Sequence, residues 1–262
     1  METHIDRIML LKVPIDIVPP EKLPEVINSF LATMGNEDGE TGDTRKSRNL
    51  VLLSLWDLLR ARRNREYRNY INSADLVIPI SRSLVSGAKF LTGKKPARYM
   101  PFNFVIALLT LLEKREYSLY LLGAKSQVLK KAEKNIRSTF PKIKIVGRCT
   151  GSIRKQEEPV IIEAIRKASP SLLLAGEGLR GRELWIARND SRLNYGFRIW
   201  CSDLFDIFAD KKKRPSDAVF DRGLESIGFC MRNPLKFFRI FPYFRYKLLL
   251  LFYKLFRQAK TN

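Results

Sequence analysis

Short apolar runs alternate along the chain with longer stretches of helical spacing. Arg7–Leu11 reads as a strand, Pro19-Pro20 breaks the chain, and Leu23 to Thr33 reads as a helix. The polar, glycine-containing stretch from Gly35 to Arg48 reads as a loop. Leu50–Leu55 is predicted as a strand, Trp56 to Ile71 as a charged helix, and Asp75–Pro79 as a strand ended by proline. Ser81–Leu91 and Phe102–Lys114 read as helices.

The middle of the chain is regular. Ser118–Leu122 is a predicted strand running into Gly123, and Lys125–Phe140 is a helix with Val128, Ala132 and Ile136 on one face. Lys142–Val146 reads as a strand, Glu157–Ala168 as a helix, and Leu172–Ala175 as a strand ending at Gly176-Glu177-Gly178. A helix over Glu183–Asn189 and a strand over Phe197–Cys201 follow. Strands alternating with helices of about 10–15 residues predict an α/β fold, Rossmann-like, with a mostly parallel sheet and helices on both faces. Ligands of such sheets bind beyond the carboxyl ends of the strands.

Composition changes the picture at the C-terminus. The 262 residues carry 48 Lys and Arg against 27 Asp and Glu, a net charge of +21 that calls for an anionic partner. From Lys211 onward the chain turns basic, so the expected division is a Rossmann-like domain over 1–210 and a basic, helical appendage over 211–262. Between Arg232 and Asn262 lie eight Lys or Arg, no acid, and many Phe and Tyr. Such a stretch can sink aromatic and leucine side chains into a headgroup boundary while its cations meet anionic lipid. It can equally be an ordinary helix packed on the core. Bases and aromatics together also serve nucleic-acid binding, but the leucine run Leu248–Leu251 suits lipid better, so no nucleic-acid partner is expected. No apolar segment approaches the roughly 20 residues needed to span a bilayer. The run Ile8 to Leu11 is cut by Lys12 and Pro14, so no signal peptide is read and a cytosolic, reducing location is expected.

Cysteine and histidine narrow the chemistry. Cys149, Cys201 and Cys230 are widely spaced and His4 is the one histidine, so neither a disulfide framework nor a zinc site is expected. Gly176-Glu177-Gly178 and Leu122-Gly123-Ala124-Lys125 each follow a strand. Each can present backbone N–H groups to a phosphate, or be a plain tight turn. Asp203 and Asp206 follow the last strand, as sugar-binding or base carboxylates, with a helix cap as the other reading of Asp203.

Taken in order, these stretches resemble the WecG/TagA/CpsF glycosyltransferase family from about Arg7 to Arg239. Asn72 to Pro79 is similar to the family's "nsADlvlPDG" strand. Leu121 to Lys125, with the helix through Phe140-Pro141 and the strand to Gly147, resembles "flLGgkpgv…P.lkivG". Gly176-Glu177-Gly178 with Glu183 to Asn189 resembles "GlGaPkQEkWIarn". Phe205-Asp206 with Lys213-Arg214 resembles "FDflaGkvkRaP", and Gly223-Leu224-Glu225 with Pro234 resembles "GLEWlyRLlqeP".

The resemblance implies transfer of an N-acetylhexosamine from a UDP-sugar donor to a lipid-linked sugar acceptor on undecaprenyl diphosphate. That places the chain in cell-envelope polysaccharide synthesis, peripheral on the inner face of the cell membrane. It implies no cofactor and no metal, with basic side chains balancing the diphosphate, and self-association, since members often form trimers. Arg98 falls on the family's pocket arginine and Asp206 on its pocket aspartate. Gly176, Gly178 and Glu183 match the nucleotide motif. Arg214, Lys236 and Arg239 match basic appendage positions. Gly123 belongs to the strand-glycine motif of the substrate site.

Several positions depart from the pattern. The proposed general-base aspartate is Ile80, the "TvN" asparagine falls on Ser54 and its threonine on Leu52. The "TGxD" acid is Asn103, the "PKQE" glutamine is Arg182, and the appendage arginine is Phe229. Losing a general base costs about 10²–10⁴-fold. Asp203, Asp206 or Glu177 are the candidate substitutes. The alternative is a membrane-associated binding or scaffold relative.

Overall fold

The structure is a computed structural model that describes residues 5–32, 47–223 and 241–258. In chain order the elements are β1 (Asp6–Leu10), β2 (Val13–Ile17), α1 (Leu23–Ala32), β3 (Arg48–Leu53), α2 (Leu55–Arg63), α3 (Arg65–Asn72), β4 (Leu76–Pro79), α4 (Arg82–Thr92) and α5 (Pro101–Lys114). There follow β5 (Ser118–Leu122), α6 (Ser126–Thr139), β6 (Lys144–Cys149), α7 (Glu158–Ala168), β7 (Leu172–Ala175), α8 (Glu183–Arg188), β8 (Phe197–Trp200), α9 (Leu204–Phe208), α10 (Asp217–Arg222) and α11 (Phe241–Gln258). The expected α/β fold with a mostly parallel sheet is observed, and so is a C-terminal helix.

The described residues divide into two compact units, the first within Pro20–Leu52 and Pro101–Arg214, the second within Ile5–Pro19, Leu53–Met100 and Pro215–Asn262. The main sheet has six strands, and the first unit contributes five, in the order β3-β8-β7-β5-β6. Their described pairings are parallel, with Leu122 opposite Ala175 and Ala175 opposite Trp200. Tyr120, Leu122, Leu173 and Ala175 point to one face, into a cluster with Ile162, Ile165, Trp185 and Ile186 of α7 and α8. The alternate residues Leu119, Leu121, Leu172 and Leu174 are fully buried on the other face. A central parallel strand buried on both faces reads as a continuous apolar run, which is why SLYLL and LLLA are legible as strands.

In the second unit β1 and β2 form an antiparallel hairpin. Its two-residue loop, Leu11-Lys12, has φ of 51° and 70°. Two consecutive positive φ angles match the twist of a hairpin. Only the first strand was expected there, because Pro14 interrupts the apolar pattern. Proline is tolerated at this position because the hairpin has open edges. Asp16, 2% exposed, ties the hairpin to β4: it accepts from Arg7 Nε at 2.6 Å, Arg7 Nη2 at 2.9 Å and the Val77 N–H at 2.6 Å.

The helix expected over Trp56 to Ile71 is two helices broken at Asn64. That residue has φ −115° and ψ 114°, and its side chain accepts from the Tyr67 N–H at 2.9 Å. A local side-chain acceptor competes with the helical ladder at Asn, so the chain ends one helix and caps the next. The short α10 was not expected from the sequence pattern, and α9 was implied only by the cap reading of Asp203, which stands at its N-cap position but makes no side-chain cap hydrogen bond.

Tail helix α11 packs through Tyr246 and Leu250, 2% and 8% exposed, and contacts α4 and α2. The Tyr246 hydroxyl donates to the Ser83 carbonyl at 3.1 Å and fills the space left by Gly87, where a Cβ would lie 2.0 Å from that oxygen. Pro242 is tolerated because the first helical turn has no ladder N–H to lose. Among the described residues no helix is long and apolar enough to cross a membrane.

Candidate functional site

The strand connections place a topological switch point in the first unit. β5 leads through α6 to β6 on one side, and β7 leads through α8 to β8 on the other. The carboxyl ends of β5 and β7 therefore flank a topological switch point, the usual ligand position in open α/β sheets. Gly123 stands at one lip and Gly176-Glu177-Gly178 at the other, both within the predicted set.

Three loops interlock there, backbone to backbone. The Gly123 N–H donates to the Cys149 carbonyl at 2.9 Å, Ala124 to Glu177 at 2.5 Å, Gly151 to Ala124 at 2.9 Å and Gly176 to Leu122 at 2.9 Å. A Cβ on Gly123 would lie 2.8 Å from the Gly176 carbonyl oxygen, and one on Gly151 would lie 2.6 Å from Gly178 Cα. Glycine is required because backbone must touch backbone. The expectation that these glycines present N–H groups to phosphate therefore changes for Gly123 and Gly176, whose N–H groups bind neighbouring loops. Gly151 was missed from the sequence because the strand was expected to stop at Val146, whereas β6 runs to Cys149.

Glu183 opens α8 and is 3% exposed, and its Oε2 lies 3.6 Å from Arg182 Nε. Arg182 adopts φ 58° and ψ −134°, a backbone region that side chains other than glycine rarely enter. Glu183, which matches the nucleotide motif, is thus paired with Arg182, the residue that departs from it. Beyond β8, Asp203 and Asp206 flank α9. Lys211 Nζ lies 3.2 Å from Asp206 Oδ1, and Lys212 forms a short ion pair with Asp203. Each carboxylate is thus engaged by a lysine ammonium. The lysine run drew attention in the sequence as membrane charge, and its pairing with these acids became visible only in the fold. Arg214 Nη1 donates to Asn103 Oδ1 at 2.8 Å, so two predicted residues 111 positions apart meet.

Burial disfavours the thiolate form of both thiols at this edge. Burial pushes Cys201 up to about 12, with Asp203 adding in the same direction. Burial, then Glu157, raises Cys149. Among the described residues no group of three His, Cys, Asp or Glu is placed to hold a metal ion.

The second unit holds Ser54, Ile80 and Arg98. Ser54 caps α2: its hydroxyl donates to Asp57 Oδ2 at 2.5 Å and accepts from the Asp57 N–H at 3.2 Å. Asp57 also accepts from the Tyr67 hydroxyl at 3.0 Å, so this acid, which sequence reasoning passed over, is committed to the cap. Arg98 donates to the Ile80 carbonyl at 2.9 Å and the Phe220 carbonyl at 2.5 Å, with its guanidinium 3.8 Å from the Phe220 ring centroid. Lys236 and Arg239 lie outside the described residues, as do Phe229, Cys230, His4 and most of the loop before β3.

Comparison with known proteins gives one consistent result. Residues 8–262 match the Glycosyl transferase WecG/TagA/CpsF family. An N-acetylglucosaminyldiphosphoundecaprenol N-acetyl-beta-D-mannosaminyltransferase of Bacillus subtilis (strain 168) is 24% identical over 189 residues, 72% of this chain and 73% of that protein. A protein of the same name from Staphylococcus aureus (strain MW2) is 21% identical over 184 residues, 70% of this chain and 72% of that protein.

Proposed function

The chain belongs to the WecG/TagA/CpsF family of glycosyltransferases, and from that premise we propose that it moves an N-acetylhexosamine-type sugar from a UDP-sugar to a polyprenyl-diphosphate-linked sugar acceptor. The observation that carries this reading is the topological switch point between β5 and β7, where glycine-containing loops meet at the carboxyl edge of the sheet. The acceptor hydroxyl attacks the anomeric carbon, the bond to the UDP oxygen breaks, and the hydroxyl proton passes to a carboxylate. Ile80 cannot take that proton, so Asp206 or Asp203 serves after releasing its lysine. In the first unit Arg182 and Arg214 are the candidates to stabilise the departing diphosphate; Arg98 of the second unit, Lys236 and Arg239 are cations that the family resemblance assigns to the diphosphate. Asn103 and Glu183 are the substrate-binding candidates of the first unit, and Ser54 is that of the second.

Thermal stabilisation tests the donor. UDP-sugar at 100 times its Kd should add about 2.7 kcal/mol, with GDP- and CDP-sugars adding far less. Equal stabilisation by all three overturns the UDP assignment. Stabilisation by UDP-sugar without UDP release, in the presence of a lipid-linked acceptor, favours the binding or scaffold relative. That second reading rests on Ile80 and the two lysine-engaged aspartates.

The appendage, from residue 211, is assigned to the inner face of the membrane. At about 100° per residue, Phe241, Phe244, Leu248, Leu251, Phe252, Leu255 and Phe256 span an arc of about 140°, opposite Tyr246 and Leu250. All seven are exposed, Phe256 by 66%. Lys247 and Lys254 border this arc, with Arg245 within it. An exposed apolar face edged by cations fits an anionic bilayer. Leu251→Glu with Leu255→Glu should lower binding to phosphatidylglycerol vesicles at least tenfold in co-sedimentation, without lowering Tm. An unchanged bound fraction removes the membrane assignment. The domain split and self-association belong to the same proposal.

A further inference from the structure

Two arginines of the second unit grip the end of one short helix. Arg82, at the start of α4, donates through Nη1 to the Arg222 carbonyl in a short hydrogen bond. Arg98 donates through Nη1 to the Phe220 carbonyl at 2.5 Å and lies over the Phe220 ring at 3.8 Å. Both acceptors are carbonyls in the last turn of α10, and the Phe220 carbonyl also accepts from the Gly223 N–H at 2.8 Å. The side chain of Arg82 also lies tight over the αL glycine that ends this helix: a Cβ on Gly223 would be 2.5 Å from Arg82 Cδ.

The grip is weak on the side of α10. The helix is six residues long, with Phe220 its buried residue, and Asp217, Ala218 and Val219 are exposed. Its carbonyls are neutral acceptors. A guanidinium bonds an ionised phosphate oxygen about twice as strongly, and its planar fork matches phosphate geometry. The first turn of α4 adds unspent capacity. Its N-cap Ser81 makes no side-chain cap hydrogen bond; its hydroxyl accepts from the Leu55 N–H at 3.1 Å instead. The backbone of that turn is therefore oriented to favour negative charge. Ile80, where the family's acid would stand, adds none: its carbonyl accepts from Arg98 Nε at 2.9 Å.

We propose that Arg82 and Arg98 form a paired-guanidinium site for a diphosphate, occupied in this structure by the carbonyls of α10, which the ligand claims by displacing the last turn of that helix. This rests on the diphosphate chemistry of the proposed function and deepens it in two respects. Arg82 becomes a binding residue, although no motif points to it. Helix α10 becomes a latch, so binding is weakened by the fraction of molecules in which the latch is closed.

Calorimetric titration of the full chain with inorganic pyrophosphate, and separately with UDP, tests both parts. Arg82→Gln should weaken pyrophosphate about tenfold or more, the usual loss for a charge-assisted hydrogen bond. Arg82→Lys, which keeps the charge but not the fork, should fall between. Ala218→Gly with Val219→Gly, at exposed positions that leave both arginines intact, should tighten binding about three- to tenfold by weakening α10. Melting curves establish that each variant is folded. The site is overturned if wild-type chain does not bind pyrophosphate or if Arg82→Gln binds it as wild type does. The latch is overturned if the glycine variant binds no tighter. UDP binding that survives Arg82→Gln unchanged removes this site and leaves the nucleotide reading standing. Pyrophosphate binding that depends on Arg82, with no affinity for UDP, does the reverse.

Discussion

Gly123→Ala is expected to destabilise the first unit by about 3–5 kcal/mol and to abolish stabilisation by UDP-sugar. Two costs combine. Gly123 has φ +131°, a backbone region that L side chains enter only with strain of about 1–3 kcal/mol. The new methyl would also lie 2.8 Å and 2.9 Å from the carbonyl oxygens of Gly176 and Glu177. These are backbone atoms held by the Ala124–Glu177 and Gly176–Leu122 hydrogen bonds, so they cannot swing aside as a side-chain tip can. Relieving the overlap means shifting the loop, at about 1–3 kcal/mol. Urea denaturation measures the loss, and a loss below about 1 kcal/mol refutes the interlocked-loop description. Gly93→Ala is the control. Gly93 also has positive φ, +74°, but nothing lies within 4 Å of the added Cβ, so it should show strain alone, about 1 kcal/mol.

Asp16→Ala should destabilise the second unit by about 3 kcal/mol. The carboxylate is almost fully buried and serves three donors. Its removal leaves the buried Val77 N–H without that acceptor, worth about 1–3 kcal/mol, and strips Arg7 of its counter-charge. Breaking a buried pair costs about 3–5 kcal/mol. The Arg7 side chain is 37% exposed and can rehydrate, so the lower end applies. It also keeps acceptors in the Ala74 and Asp75 carbonyls, each at 3.0 Å. Asp16→Asn retains an acceptor for Val77 and should lose about 1–2 kcal/mol. Denaturation midpoints that do not separate Ala from Asn would show that the Val77 hydrogen bond contributes nothing.

Much of the site was legible as position and little as geometry. The glycines after β5 and β7 announce themselves as strand, glycine, helix, and the fold places them at a switch point. Sequence could not show that they exist to let three loops touch, because the partner glycine, Gly151, lies on another loop. The carboxylates Asp203 and Asp206 stand out by their place after β8, but their lysine partners are fixed only once α9 turns the chain back. Asn103 and Arg214 were named separately, and their hydrogen bond depends on contacts across more than a hundred residues. Arg82 carried no signal, since an arginine at the start of a surface helix is unremarkable until α10 is set against it.

Local periodicity by itself determined the strands β5 and β7, the helices α5, α6 and α7, the parallel α/β class and the basic, aromatic tail. These depend on which side chains recur every two or every 3.6 residues, a property of neighbouring positions. Tertiary structure alone decided the β1–β2 hairpin around Pro14, the break at Asn64, which face of α11 is buried by Tyr246, and which charges are paired. The physical reason is that these outcomes turn on competition between a local preference and a partner distant in sequence. A proline is acceptable if the edge it faces is open, an arginine is a binding group or a helix cap according to which carbonyl lies within reach, and an apolar helix face is core or surface according to what packs against it.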